Sequence, residues 1–219
     1  MAKTYLDLVN TLLRRQREAQ VSSVSDDEHS LLMGEFINLA KDELETMHDW
    51  SRLRWTTRIY TSAGVFAYEV EDFKHNYVVE QVWNDTDDYE LHYKEYKTMN
   101  NWLSANNVDD LRAKPAYYDM NGYTADDDPV INLYPIPDGK YYININATVA
   151  QTDLVNDTDQ VILPHQPIIE KAMVRVLEER GEDDGDRYVR QVMRAQEVAL
   201  RYQLLDVQKW PEKYVWTVK

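Results

Sequence analysis

Cysteine is absent from this chain, which excludes disulfide staples, a thiolate nucleophile and Cys-ligated zinc. Glycine is scarce: six residues, too dispersed to build a phosphate cradle. There is accordingly no P-loop, no Gly-x-Gly-x-x-Gly and no Gly-x-Ser-x-Gly elbow. Basic residues are the minority charge, 24 Lys and Arg against 39 Asp and Glu, for a formal net charge of −15. A protein that grips duplex DNA needs the opposite sign, because its affinity comes from Lys and Arg displacing counterions from phosphates. A negative surface suits solubility, or a wall past which DNA slides without sticking. No apolar run approaches the ~20 residues of a bilayer-spanning helix. The opening Met1–Asp7 lacks the apolar core of a signal peptide. The expectation is a soluble protein with no membrane contact, made in a cytoplasm.

What is present is aromatic and patterned. Hydrophobic residues make up 43% of the chain, with six Trp and sixteen Tyr, enough for a packed core in one large domain or two small ones. Residues 4–18 place Tyr5, Leu8, Val9, Leu12 and Leu13 at helical spacing, with Arg14, Arg15 and Arg17 complementing the dipole at the C-terminal end. After a Val21-Ser22-Ser23-Val24 linker, Ser25-Asp26-Asp27-Glu28 reads as a capping box opening a second helix over 26–49. A second helical pair, 166–180 and 186–206, follows much later, divided by Arg180-Gly181.

Between the pairs, residues 54–150 read as short strands. Trp55–Thr61 and Val65–Val70 form an expected hairpin across Ser62-Ala63-Gly64. Val78–Trp83 and Tyr89–Tyr93 form a second, turned by Asn84–Asp88. A short helix over 94–104, then strands at Ala116–Met120, Val130–Tyr134 and 140–150, complete the region. The last alternates cleanly, with Tyr141, Ile143, Ile145, Ala147 and Val149 on the buried side. Pro135-Ile136-Pro137-Asp138-Gly139 reads as a turn.

The fold class expected is α+β: an antiparallel four-helix bundle with an inserted antiparallel β-domain and an extended C-terminal tail. Residues 1–52 and 164–206 would make the bundle, 53–163 the insert and 207–219 the tail.

Catalytic chemistry is thin. His29, His48, His75, His92 and His165 are scattered, with no i, i+4 pair and no His-Glu-x-x-His. The acidic clusters at 126–128, 84–88 and 153–159 have the oxygen chemistry for a hard cation but lack the glycine and distal glutamate of an EF-hand. They read as turns. Trp83, Trp102, Tyr117 and Tyr118 could stack on sugar rings beside a carboxylate pair, which makes a carbohydrate-binding module or glycosidase the alternative from another class. Aromatics at strand spacing read first as core. No catalytic, cofactor-binding or metal-ligating residue emerges, and the expectation is a protein that is not an enzyme.

Several widely spaced segments carry a resemblance. They are the first helix running into Asp26-Asp27-Glu28, Asp49-Trp50-Ser51-Arg52-Leu53-Arg54, Pro115-Ala116-Tyr117-Tyr118, Leu133-Tyr134-Pro135-Ile136-Pro137-Asp138-Gly139, Asn156-Asp157-Thr158-Asp159 leading to Leu163-Pro164, and Glu178-Glu179-Arg180-Gly181-Glu182-Asp183. In this order the chain resembles the head-to-tail adaptor (connector) proteins of tailed bacteriophages. That resemblance implies a structural virion protein, assembled in the host cytoplasm, that forms a ring beneath the portal, commonly of twelve copies. The ring extends the DNA channel without binding DNA specifically and presents a surface to a downstream tail or nozzle protein. Another neck or tail-tube ring component is the alternative within the class. By the same likeness Trp210, Tyr214, Val215 and Trp216 are candidate portal-docking residues, since aromatic anchors dominate interface energetics. Glu178, Glu179, Glu182, Asp183, Asp184 and Asp186 are candidate channel-lining residues, chosen from local charge density.

Overall fold

The computed structural model describes residues 3–73, 76–105 and 111–209. In chain order its elements are α1 (Tyr5–Arg15), α2 (Glu28–Thr46), a 3-10 turn (Ser51–Leu53), β1 (Arg54–Tyr60), β2 (Ala67–Glu69), β3 (Tyr77–Asn84), β4 (Tyr89–Tyr93), α3 (Tyr96–Ala105), β5 (Arg112–Ala113), β6 (Tyr117–Tyr123), β7 (Pro129–Tyr134), β8 (Ile136–Pro137), β9 (Tyr142–Val149), α4 (His165–Glu179) and α5 (Asp186–Lys209). Two compact units result, one from the described residues of Met1–Leu53 and Gln151–Lys219, the other from those of Arg54–Ala150.

In the helical unit, α1 begins in a capping box: Thr4 Oγ1 accepts from Asp7 N (3.2 Å) and the Asp7 carboxylate accepts from Thr4 N (3.3 Å). Leu8, Val9 and Leu12 are fully buried against Met33, Ile37 and Ala40 of α2 and Ile168, Ala172 and Val176 of α4 in one core cluster. The capping box expected at Ser25–Glu28 sits two residues later. Asp27 accepts from Ser30 N (2.6 Å) and Ser30 Oγ accepts from Asp27 N (3.2 Å), because the helix starts at Glu28.

The segment entering from residue 151 is held on α2 by side chains standing in for strand partners. Asn38 brackets Leu154, donating to its carbonyl (3.1 Å) and accepting from its N–H (3.0 Å). Lys41 Nζ donates to the Gln151 carbonyl at 2.7 Å. Asp157 accepts from Val24 N at 2.8 Å.

Gly181 and Gly185, both at positive φ, turn the chain between α4 and α5. The hydrogen bond from Tyr202 Oη to Gln166 Oε1 (2.9 Å) fixes the end of α5 beside the start of α4. Asp206 meets Ser51 and His48, which lie just past α2. Therefore α2 and α5 run in the same direction, and α4, packed on both, runs opposite to them.

The β unit contains a seven-stranded sheet in the order β1-β9-β3-β4-β6-β7-β2 and a two-stranded sheet of β5 and β8. Val82, Ile131, Leu133, Ile143 and Ile145 are fully buried on one side, with Phe73. The alternation in β9 and the β3–β4 hairpin follow the sequence pattern.

The expected fold class is overturned. The described residues hold five helices and nine strands, with a sheet larger than a small insert, in a mixed α+β fold. Nor is the sheet purely antiparallel: β4 pairs with β6 in parallel, His92 opposite Tyr117. Parallel neighbours need a long crossover, usually helical, and α3 lies between β4 and β6. The hairpin expected across residues 62–64 does not form. β1 pairs with β9 and β2 with β7, so consecutive strands sit at opposite edges of the sheet. β8 lies inside what reads as a Pro-rich turn and pairs in parallel with β5.

Candidate interaction surfaces

The six acidic residues singled out in the sequence fall on one feature, the turn joining α4 to α5. Glu178 and Glu179 close α4, and Asp183, Asp184 and Asp186 are exposed around the two positive-φ glycines. Two of the six have partners: Glu178 accepts from Tyr188 Oη at 2.7 Å, and Glu182 pairs with Arg187 at 2.7 Å. The candidate docking residues Trp210, Tyr214, Val215 and Trp216, like His75, lie outside the described residues. The tail they belong to follows α5 directly.

At the end of α5 from which that tail leaves, Asp206 is 7% exposed. Its carboxylate accepts from Ser51 N (2.8 Å) and Ser51 Oγ (2.6 Å), with His48 Nε2 at 3.5 Å. Burial acts to raise the Asp206 carboxyl, but the Ser51 hydrogen bonds and His48 outweigh it and hold the group below the usual range. The buried Trp50 indole donates to the Leu44 carbonyl at 2.7 Å. A cleft of about 340 Å³ opens here, bordered by Lys3, Trp50, Arg52, His165, Tyr202 and Leu205. Partial burial and the nearby Lys3 ammonium pull the His165 imidazole below its ordinary value.

The family model for SU10 adaptor proteins matches residues 3–211. The chain belongs to that family. It is thus a structural phage adaptor, of a class not normally enzymatic, whose place is the virion and whose contacts are other head and tail proteins. No curated protein matches the chain.

The polar clusters of the adaptor's β unit do structural work. Asn84, fully buried, accepts from Thr86 N (3.0 Å) and Asp87 N (3.2 Å) in the β3–β4 turn. Thr124 Oγ1 gathers the N–H groups of Asp126 and Asp128. In the helical unit, Asp159 accepts from Val155 N and Asn156 N, which lowers its carboxyl. No group of three or more His, Cys, Asp or Glu able to hold a metal occurs among the described residues. No described helix is long and apolar enough to cross a membrane.

Of the four aromatics considered for sugar stacking, Trp102 packs on Tyr117 (5.5 Å between ring centroids) and on Tyr134 (4.9 Å), and Tyr118 is buried. Trp102 and Tyr117 meet edge-on, and both rings also face Lys94.

Sequence reading misses the buried charges. Glu170 is fully buried, with Arg15 at 2.9 Å, Gln191 at 3.0 Å and Arg194 at 3.2 Å. Burial acts to raise its carboxyl, but these partners together lower it. Lys41 is fully buried beside Glu45, whose carboxyl burial pushes up to about 7. A charged residue lying within an apolar stripe, as Glu170 does beside Ile169 and Asp206 four residues after Tyr202, is the available signal.

Proposed function

We propose that this adaptor is a ring subunit joining the portal to the tail and extending the DNA channel. About twelve copies would close the ring, with a downstream tail or nozzle protein on the far side. The observation that carries the reading is the family match over residues 3–211. The net charge of −15 supports it, because a lumen lined with carboxylates repels passing phosphates.

The exposed turn bearing Glu178, Glu179, Glu182, Asp183, Asp184 and Asp186 is the proposed lumen-facing element. Trp210, Tyr214, Val215 and Trp216 are the proposed portal-docking residues. Deleting residues 210–219 leaves every described helix whole, so it tests the docking role without dismantling the bundle. Portal attachment in a pull-down is lost while the melting temperature stays put. A truncated chain that still binds portal, or one that melts many degrees lower, refutes the tail's role.

A further inference from the structure

In a chain with 39 acidic and 24 basic residues, one cleft is lined against that balance. The cleft of about 340 Å³ at the end of α5 is bordered by Lys3, Arg52 and His165, and by a single carboxylate, Asp206. That carboxylate is already satisfied, since Ser51 donates to it from its N–H (2.8 Å) and its hydroxyl (2.6 Å). Lys3 and Arg52 are not neutralised in this way. Among the described residues neither makes an ion pair, and Arg52 Nη1 donates to a neutral acceptor, the Ile162 carbonyl, at 3.1 Å. The imbalance reaches His165, whose imidazole is held below its ordinary value by partial burial and the Lys3 ammonium.

Apolar surface accompanies the two cations. Trp50 and Leu163 are buried in the cleft wall, Leu205 on its border is 46% exposed, and Ile162, whose carbonyl Arg52 holds, is 42% exposed. A guanidinium carries five N–H donors, so the carbonyl bond leaves Arg52 able to take a carboxylate as well. An acidic segment with an apolar side chain therefore matches both features of the cleft. The chain's own tail has the wrong sign, since residues 210–219 carry Lys213 and Lys219 against Glu212. What the tail does supply is a tether. Trp216 is ten residues beyond Asp206, at most about 35 Å of extended chain. A portal surface that takes Trp216 thus lies within that distance of the cleft, and engagement at one point raises the effective concentration at the other.

We propose that this cleft is a second docking point for the portal, taking an acidic segment of the portal protein. Lys3 and Arg52 pair with carboxylates of that segment, and an apolar side chain of the segment packs against Trp50 and Leu205. This rests on the portal reading above and gives it a partner chemistry that the basic, aromatic tail does not supply.

The test is equilibrium binding of the full chain to purified portal protein, with two double variants. Lys3→Glu with Arg52→Glu weakens binding at least about tenfold and makes it less sensitive to salt, whereas Lys3→Arg with Arg52→Lys keeps it within about twofold. Melting temperatures of both match wild type. A second readout does not depend on the variants folding: a water-soluble carbodiimide joins the Lys3 amine of the wild-type chain to a portal Asp or Glu as an amide, identified by mass spectrometry. Binding unaffected by the reversals, with no Lys3 cross-link to portal, overturns the cleft's role and leaves the portal reading standing. A wild-type chain that does not bind portal at all overturns both. A Lys3 cross-link to Glu212 of the tail in place of the portal assigns the cleft to the chain's own tail and overturns the proposal. Reversals that weaken binding of a short DNA oligonucleotide but not of portal make the cleft a phosphate site and overturn it equally.

Discussion

Asp206, near the end of α5, accepts two hydrogen bonds from Ser51, one from its N–H at 2.8 Å and one from its hydroxyl at 2.6 Å. The residues lie 155 positions apart in sequence, and the pair ties the last helix to the exit of α2. Asp206→Ala leaves the Ser51 donors without their buried acceptor, at a cost of about 2–3 kcal/mol. Asp206→Asn, which keeps one acceptor oxygen, costs less. Because the folded-state carboxyl lies below its ordinary value, its contribution is present at neutral pH and lost as pH falls through the folded pKa. Urea titrations at pH 7 and in acid check both points: the gap between wild type and Asp206→Ala narrows at the lower pH.

Glu45 gives the opposite pH dependence. Its folded-state carboxyl is pushed up to about 7 from the 4.5 of an unburied glutamate, chiefly by burial. The unfolded chain releases this proton first, so the favourable contribution is complete below about 4.5 and is lost as pH rises to about 7. Glu45→Gln removes the titration, so the fall in stability between pH 5 and 7 is shallower in the variant than in wild type.

Glu170 is the charge on which α1, α4 and α5 converge. Glu170→Ala leaves Arg15 and Arg194 without their shared carboxylate and opens space in the core, costing on the order of 3–5 kcal/mol. Glu170→Met, which fills the space with apolar atoms, loses less. Thermal denaturation of the two variants ranks them.

Gly34, buried on α2, lies against the Tyr5 side chain of α1. A Cβ there would stand 2.2 Å from Tyr5 Oη and 3.1 Å from Val24 Cγ1. Gly34→Ala therefore forces the Tyr5 ring aside and lowers stability by about 1–3 kcal/mol, helix propensity notwithstanding. Pairing it with Tyr5→Phe, which removes the nearest atom, recovers part of the loss.

The helices were legible because their signal is local: the stripes of Leu8–Leu12 on α1 and Ile168–Val176 on α4 recur at helical spacing and are buried. The strand alternation in β9 was legible for the same reason. Pairing was not, since nothing in Thr56-Thr57-Arg58 states that β1 joins β9 some ninety residues away, leaving β2 for the other edge. The parallel β4–β6 pair depends on α3 acting as a crossover, a consequence of topology that periodicity does not express. Residues 151–163 read as a polar connection because the partners of Gln151 and Leu154 are side chains of Asn38, Lys41 and Glu45, more than a hundred positions earlier. The acidic turn stood out by charge density.

The mass of the complex formed with purified portal protein tests whether this protein is an adaptor ring subunit between portal and tail. Native mass spectrometry of the mixture is expected to show many adaptor copies on each portal assembly, in a fixed ratio to the portal subunits. A chain that remains a strict monomer, forms no complex with portal and instead binds oligosaccharides would contradict it.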